Sequence, residues 1–153
     1  TDNAAKRTLL GGGGAECWTH GAGGPAILEA CRRPGGCAVG DAKITTGGRL
    51  PAKWVIHTVG PVYRDGRHGE PALLASAYRR SLEVAVAHGL ESVAFPSIST
   101  GAYRFPVEEA AGVALDTLAT ELRGQAASLE LVRVVLFSDA DLAVYTAQLA
   151  RLR

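Results

Sequence analysis

The sequence has no long hydrophobic run and no block of basic residues, and each absence excludes a class of protein. The chain of 153 residues has a formal net charge of +1, and its acidic and basic side chains are interspersed. A broad positive field of the kind that binds nucleic acid is therefore not expected. No apolar stretch is long enough to cross a bilayer, so no membrane partner is expected either.

Cysteine is also scarce. The three cysteines, Cys17, Cys31 and Cys37, are odd in number and show no paired spacing. A chain of this length can bury a core of its own and does not need disulfides for stability. We therefore expect one domain over residues 1–153 in the reducing cytoplasm, and we find no charged-then-apolar leader for export.

Two common nucleotide-binding signatures and a metal signature are missing as well. No Gly-Lys-Ser/Thr follows the glycine run at 11–14, which argues against a P-loop triphosphate site. Residues 21–26 fit the dinucleotide fingerprint only loosely, because they follow a helix-like stretch rather than a strand. Cys17 and His20 lie one helical turn apart without a second pair at ligand spacing, so we predict no metal. The same two residues could form a thiol nucleophile and its base, although cysteine is more often a small buried apolar group.

What the sequence does contain is an alternation of short apolar strands with amphipathic helices, which predicts an α/β layered sheet with helices on both faces. Whatever strand precedes the glycine run must be missing or very short. Residues 62–70 are predicted to form an exposed loop, and the histidines at 57, 68 and 88 to be structural or solvated. We predict strands at 42–46, 54–59, 92–96 and 131–137, and helices at 25–33, 71–88, 106–123 and 141–152, the last capped by Ser138 or Asp139.

Two loops of small residues carry the functional prediction. The run Gly11–Gly14 lets backbone N–H groups approach phosphate oxygens closely, although such a run also suits a flexible connector. The second loop, Ser97–Tyr103, directly follows an apolar strand, at the edge of the sheet where ligands bind in α/β proteins. Together with a carboxylate at Glu16 and aromatic rings at Tyr103 and Phe137, the loops predict a nucleotide-sugar or dinucleotide-like ligand with a diphosphate centre.

Four segments in order then carry a resemblance to a known family. They are Asn3-Ala4-Ala5-Lys6 with the following Leu9–Gly14; His20 with Gly23; Leu50–Lys53 with His57–Pro61; and Phe95–Tyr103. Over essentially the whole chain, the sequence resembles the macrodomain family, and within it the MacroD-type branch. The resemblance implies a three-layer α/β/α sandwich with a mixed, mostly parallel sheet that binds ADP-ribose.

The resemblance also implies an activity. Members of this branch hydrolyse ester-linked ADP-ribose, either on acidic side chains of mono-ADP-ribosylated proteins or in O-acetyl-ADP-ribose, without a metal or another cofactor. Carried over by position, Tyr103 would form the wall of the distal ribose and Phe137 would face the adenine. The other ligand-binding positions would be Asn3, Gly12, Gly13, Gly14, His20, Ser99, Thr100, Gly101 and Ala102.

This chain departs from the family pattern at the residues nearest the chemistry. Lys6 replaces an asparagine that helps to hold the distal ribose, and Glu16 replaces the aspartate thought to assist the attack of water. We predict Glu16 and Lys6 as the catalytic residues, the lysine either pairing with Glu16 or contacting a phosphate. Arg104 replaces a glycine, and the residues between Glu16 and His20 replace small and apolar ones, which reshapes the cleft wall.

Two alternatives remain open at this point. Lys6 favours a reader that binds ADP-ribose or ADP-ribosylated proteins without hydrolysing them. The family's first strand, which ends in an aspartate that recognises adenine, has no counterpart in these residues, and neither has most of its second strand. That absence favours a nucleotide or RNA-end binding module with relaxed base choice.

Overall fold

The computed structural model describes residues 2–4, 21–32 and 35–152. Residues 21–23 are helical, and nine further helices and strands lie wholly within the described ranges. They are, in order, β1 (Asp2–Ala4), α1 (Pro25–Arg32), β2 (Ala42–Thr46), β3 (Trp54–Thr58), α2 (Glu70–Ala87), β4 (Ser92–Phe95), α3 (Val107–Arg123), β5 (Leu131–Val134) and α4 (Asp139–Arg151).

Most of these boundaries confirm the sequence-based predictions to within two residues. Ser138 caps α4 as predicted, because its side chain accepts a hydrogen bond from the backbone N–H of Asp141. The prediction of a last strand reaching residue 137 was wrong. β5 ends at Val134, and beyond it the N–H of Val135 still donates to the carbonyl of Phe95 at 2.8 Å.

The prediction of an exposed loop at residues 62–70 was wrong for its last residue, Glu70. Glu70 begins α2 and is only 2 % exposed. Its carboxylate turns back onto the preceding loop and accepts four backbone N–H groups, those of Arg64, Asp65, Gly66 and His68. A carboxylate at the positive end of a helix is also stabilised by the helix dipole.

Three strands form a mixed sheet in which β3 lies in the middle and pairs on both sides, and the other two strands form a separate ladder. β1 runs parallel to β3 and β2 runs antiparallel to it, while β4 and β5 form a second parallel pair. β1 also contacts β4, so the short strand connects the two groups. In the register of β1 with β3, Ala4 lies opposite Thr58, so both strands end at the same edge of the sheet. The very short strand expected before the glycine run is thereby confirmed.

Helices cover the sheet on both faces. Val55 and Ile56 are neighbours in β3 and point to opposite faces, as successive strand residues do. Val55 belongs to a small core with Ile27 and Cys31 of α1, whereas Ile56 belongs to the large core that includes α2, α3 and α4. The three-layer α/β/α architecture is therefore confirmed. Among the described helices, none is long and apolar enough to cross a membrane.

Candidate anion-binding site

The loops that follow β3 and β4 pack against each other at the carboxyl edge of the sheet. A Cβ atom added at Gly60 would lie 2.1 Å from Ser99 Oγ and 2.5 Å from Ile98 Cγ2, so only glycine fits there. A backbone hydrogen bond from Tyr63 N–H to the carbonyl of Tyr103, at 2.8 Å, joins the same two loops. In the sequence, Gly60 was interpreted only as the end of a strand, and its packing role was missed.

The loop of residues 97–103 has an unusual backbone. Ser99 and Arg104 have positive φ angles of 67° and 62°, in the left-handed region that side chains disfavour. Two hydrogen bonds close the loop: Arg104 N–H donates to the carbonyl of Gly101 at 3.0 Å, and Phe105 N–H to that of Ser99 at 2.9 Å. Turns that mix right- and left-handed residues direct successive N–H groups to one side and form concave anion sites.

The tip of this loop offers hydrogen-bond donors that the protein itself does not use. Within the described parts of the chain, the N–H groups of residues 101, 102 and 103 have no acceptor. The hydroxyl of Ser99, although buried, also finds no partner there. A Cβ at Gly101 would meet no atom of the described residues within 4 Å, so they leave the space beside Gly101 open. Chemically, this arrangement can accept an anion such as a phosphate.

Tyrosine hydroxyl groups from two helices form hydrogen bonds with the loop. Tyr78 of α2 accepts a hydrogen bond from Ile98 N–H at 3.1 Å. Tyr145 of α4 shares a hydrogen bond of 2.7 Å with Ser97 Oγ, to which the Thr100 hydroxyl donates at 2.8 Å. Burial raises the pKa of both tyrosines, so their hydroxyls stay protonated near neutral pH. Helical periodicity marked Tyr78 only as an apolar position, so this function of both rings was missed.

Of the other predicted site residues, the structure describes some and not the rest. Asn3 lies in β1 opposite His57, next to the carboxyl edge. Phe137 follows β5 and is 97 % exposed, and Tyr103 is half-buried. The residues Lys6, Gly12, Gly13, Gly14, Glu16, Cys17 and His20 lie outside the described residues, so their roles stay predictions.

Reactive side chains away from this loop include His57, Cys37 and the group of Asp65, His68 and Glu70. His57 is buried, and its Nε2 lies 2.8 Å from Thr45 Oγ1 and 3.5 Å from Cys31 Sγ, as expected of a structural histidine. Burial raises the pKa of Cys37 to about 11, so it is no ready nucleophile. Ligand atoms of Asp65, His68 and Glu70 lie within 4.8 Å of one another, but Glu70 already accepts four backbone N–H groups.

The fold and the loop together define a three-layer α/β protein with a candidate anion site at the carboxyl edge of its sheet. The Macro domain family model matches residues 3–114 of the chain. The chain therefore belongs to the macrodomain family.

Individual relatives agree with this assignment. A Macro domain-containing protein of Chlorobaculum tepidum is 55 % identical over 148 residues, which are 97 % of this chain and 86 % of that protein. The O-acetyl-ADP-ribose deacetylase 1 of Pantoea vagans is 49 % identical, over 94 % of this chain and 85 % of its own length. The Trypanosoma brucei macrodomain in complex with ADP-ribose has a TM-score of 0.88 and 35 % identity, over 95 % of this chain and 61 % of that one.

Proposed function

We propose that this chain binds ADP-ribose at the loop of residues 97–103 and hydrolyses ADP-ribose held in ester linkage. The observation that carries the binding half is the run of N–H groups at 101–103, which have no acceptor in the described chain and lie beside open space at Gly101. A diphosphate offers the acceptors that such donors lack. Membership of the macrodomain family and the ADP-ribose-related names of two relatives support the identity of the ligand.

The edge of the sheet can accommodate the other parts of this ligand. β1 ends at Ala4, beside Thr58 at the same edge, and the glycine run at 11–14 follows it in sequence. We expect Gly12–Gly14 to supply further N–H donors to the diphosphate. Tyr103 would pack on the distal ribose, and the exposed ring of Phe137 would stack on the adenine.

For the hydrolytic half, we propose that Glu16 orients a water molecule for attack on the ester. Water adds across the bond, and the products are a carboxylic acid and an ADP-ribose bearing a free hydroxyl. Backbone N–H groups of the two loops would stabilise the negative charge that develops on oxygen. Lys6 would pair with Glu16 or contact a phosphate. The support for these roles is the match of both positions to the catalytic region of the family motif.

A reader without hydrolytic activity is the second candidate, and Lys6 favours it. A lysine beside Glu16 would lower the basicity of the carboxylate, and it supplies no acceptor for the distal ribose. Such a protein would retain the anion site and bind ADP-ribosylated proteins.

Calorimetry with ADP-ribose, together with turnover assays, separates these candidates. The turnover substrates are a peptide carrying mono-ADP-ribose on an acidic side chain and O-acetyl-ADP-ribose. Binding with turnover supports the hydrolase, whereas binding without turnover identifies the reader. If ADP-ribose does not bind, both are rejected. Glu16→Gln should abolish turnover and retain binding, and Lys6→Asn should raise turnover if the lysine impairs it.

A variant of the loop tip tests where the ligand binds. Gly101→Val adds a side chain in open space, so the fold should tolerate it while the diphosphate is displaced. We expect loss of ADP-ribose binding with an unchanged Tm. Gly112→Val in α3 is the matched control, because a Cβ there also meets nothing within 4 Å, and it should bind normally. Wild-type affinity in Gly101→Val would contradict the proposed location.

A further inference from the structure

The anion-binding loop is held by side chains that no ligand would touch. We propose that Tyr145 and Tyr78 are positioning residues, whose hydroxyls fix residues 97–103 in the conformation in which the N–H groups of residues 101–103 have no acceptor among the described residues. This inference rests on the proposed function for its choice of ligand, but the contacts that carry it lie within the protein.

Tyr145 acts through a short chain of hydroxyl groups. It belongs to α4, is 4 % exposed, and shares a hydrogen bond of 2.7 Å with Ser97 Oγ. The Thr100 hydroxyl donates to the same Ser97 oxygen at 2.8 Å and also lies 3.2 Å from the Ser97 carbonyl oxygen. Tyr145 lies 48 residues after Ser97 in the sequence. Through Ser97 it is linked to Thr100, the residue just before the loop tip at 101–103.

Tyr78 holds the loop at an adjoining point. Its ring is fully buried, and its hydroxyl accepts from Ile98 N–H at 3.1 Å and lies 3.4 Å from the carbonyl oxygen of Pro96. The N–H of Ile98 is therefore satisfied by the protein, whereas those of residues 101–103 have no acceptor among the described residues. Tyr78 thus binds an N–H group just before the part of the loop whose N–H groups are available to a ligand.

These contacts affect binding because they set the loop conformation in advance. Neighbouring N–H groups without a protein acceptor are unfavourable in the absence of a ligand, and the left-handed backbone of Ser99 adds to that cost. A loop freed from its hydroxyl contacts would relax towards other conformations. Ligand binding would then have to reverse that relaxation, and affinity would fall.

The test is Tyr145→Phe, which removes one hydroxyl and keeps the packed ring. We expect the Kd for ADP-ribose, measured by calorimetry, to rise about 3- to 10-fold, the value of one hydrogen bond. Tyr63→Phe is the matched control. Tyr63 packs on Phe105 with ring centroids 4.9 Å apart and lies beside the loop, but its hydroxyl has no hydrogen bond in the described chain. Its Kd should not change.

Two further measurements distinguish positioning from a general loss of stability. Amide hydrogen exchange at residues 97–103 should become faster in Tyr145→Phe without ligand, while exchange in α3 stays as in the wild type. Ser97→Ala should weaken binding at least as much, because it also removes the acceptor of the Thr100 hydroxyl. The double variant should be no worse than Ser97→Ala, since that change already breaks the contact with Tyr145.

Each outcome decides a different point. If the wild type binds ADP-ribose and Tyr145→Phe binds it equally well with unchanged exchange in the loop, the positioning role is wrong. If the wild type does not bind, the proposed function fails, and the exchange measurement alone decides whether Tyr145 fixes the loop.

Discussion

At the scale of single residues, Arg104 combines a charged side chain with a backbone conformation that suits glycine. Its φ of 62° lies in the left-handed region, and its exposed side chain forms no ion pair within the described part of the chain. Arg104→Gly should therefore raise the free energy of unfolding by about 0.5–1 kcal/mol, because relief of steric strain outweighs the greater freedom of glycine in the unfolded chain.

Urea denaturation of both proteins checks this expectation. The control is Arg123→Gly at the end of α3, where the backbone is helical, and it should destabilise the protein. A destabilised Arg104→Gly would mean that the guanidinium makes a favourable contact that outweighs the strain.

Phe137 is unusual for a different reason, because its large apolar side chain is exposed to solvent. A phenylalanine that is 97 % exposed contributes almost nothing to folding. Phe137→Ala should leave the Tm unchanged and weaken ADP-ribose binding by roughly 1–2 kcal/mol, about 5- to 30-fold, through loss of stacking on adenine. Calorimetry with ribose 5-phosphate is the control, because that ligand lacks the base and should bind both proteins equally. Equal losses for the two ligands would contradict an adenine contact.

At the scale of structural elements, Glu70 connects the start of α2 to the preceding loop. Its two carboxylate oxygens accept four backbone N–H groups at 2.6–3.2 Å. These bonds, led by that from Arg64 N–H, lower the pKa of Glu70 from 4.5 to about 2. Because the folded-state pKa is lowered, the stabilisation is present above pH 4.5 and is lost as the pH falls towards 2.

Glu70→Gln should therefore be less stable at neutral pH and should lose less stability between pH 4.5 and 2 than the wild type. The amide keeps one acceptor oxygen but places an NH₂ group against backbone N–H donors. Thermal unfolding from pH 2 to 7 measures both effects, with the exposed Glu130→Gln as control. A Glu70→Gln curve that runs parallel to that of the wild type would show that the N–H groups do not prefer the charged carboxylate.

The elements also show what the sequence can and cannot predict. α2 was predicted from apolar residues at helical spacing, and α3 from a proline and acidic residues in its first turn. The loop at 97–103 was predicted from its small residues and its place after a strand. The dependence of that loop on Gly60, Tyr78 and Tyr145 was not predictable. Tyr145 lies 48 residues from its partner Ser97, and no local pattern encodes a contact over such a distance.

At the scale of the whole molecule, two buried carboxylates, those of Glu70 and Asp2, change the stability of the fold in opposite directions as the pH rises. Glu70 is surrounded by donors, whereas neither carboxylate oxygen of Asp2 has a hydrogen-bond partner in the described chain. Asp2 lies in β1 beside Ile56 and is 3 % exposed. The hydroxyl of Ser81 faces it but donates to the carbonyl of Ala77 at 2.8 Å.

Burial raises the pKa of Asp2 from 3.8 to about 8, and Ser81 offsets only part of that shift. The folded protein therefore binds a proton that the unfolded chain releases, so Asp2 makes stability decrease as the pH rises from about 4 to about 8. The loss is roughly 1.4 kcal/mol per pH unit at most. Glu70 destabilises the fold below pH 4.5 and Asp2 destabilises it as the pH rises towards 8, so we predict that the protein is most stable on the acid side of neutrality.

Asp2→Asn separates the contribution of this carboxylate from all others. The amide has nearly the same shape and does not ionise, so the variant should keep its stability from pH 5 to 8 while that of the wild type falls. At pH 8 the variant should have the higher Tm, and near pH 4 the two should be close. Thermal unfolding in a pH series measures this. Superimposable curves would mean that the Asp2 carboxylate has no higher pKa in the folded protein than in the unfolded chain.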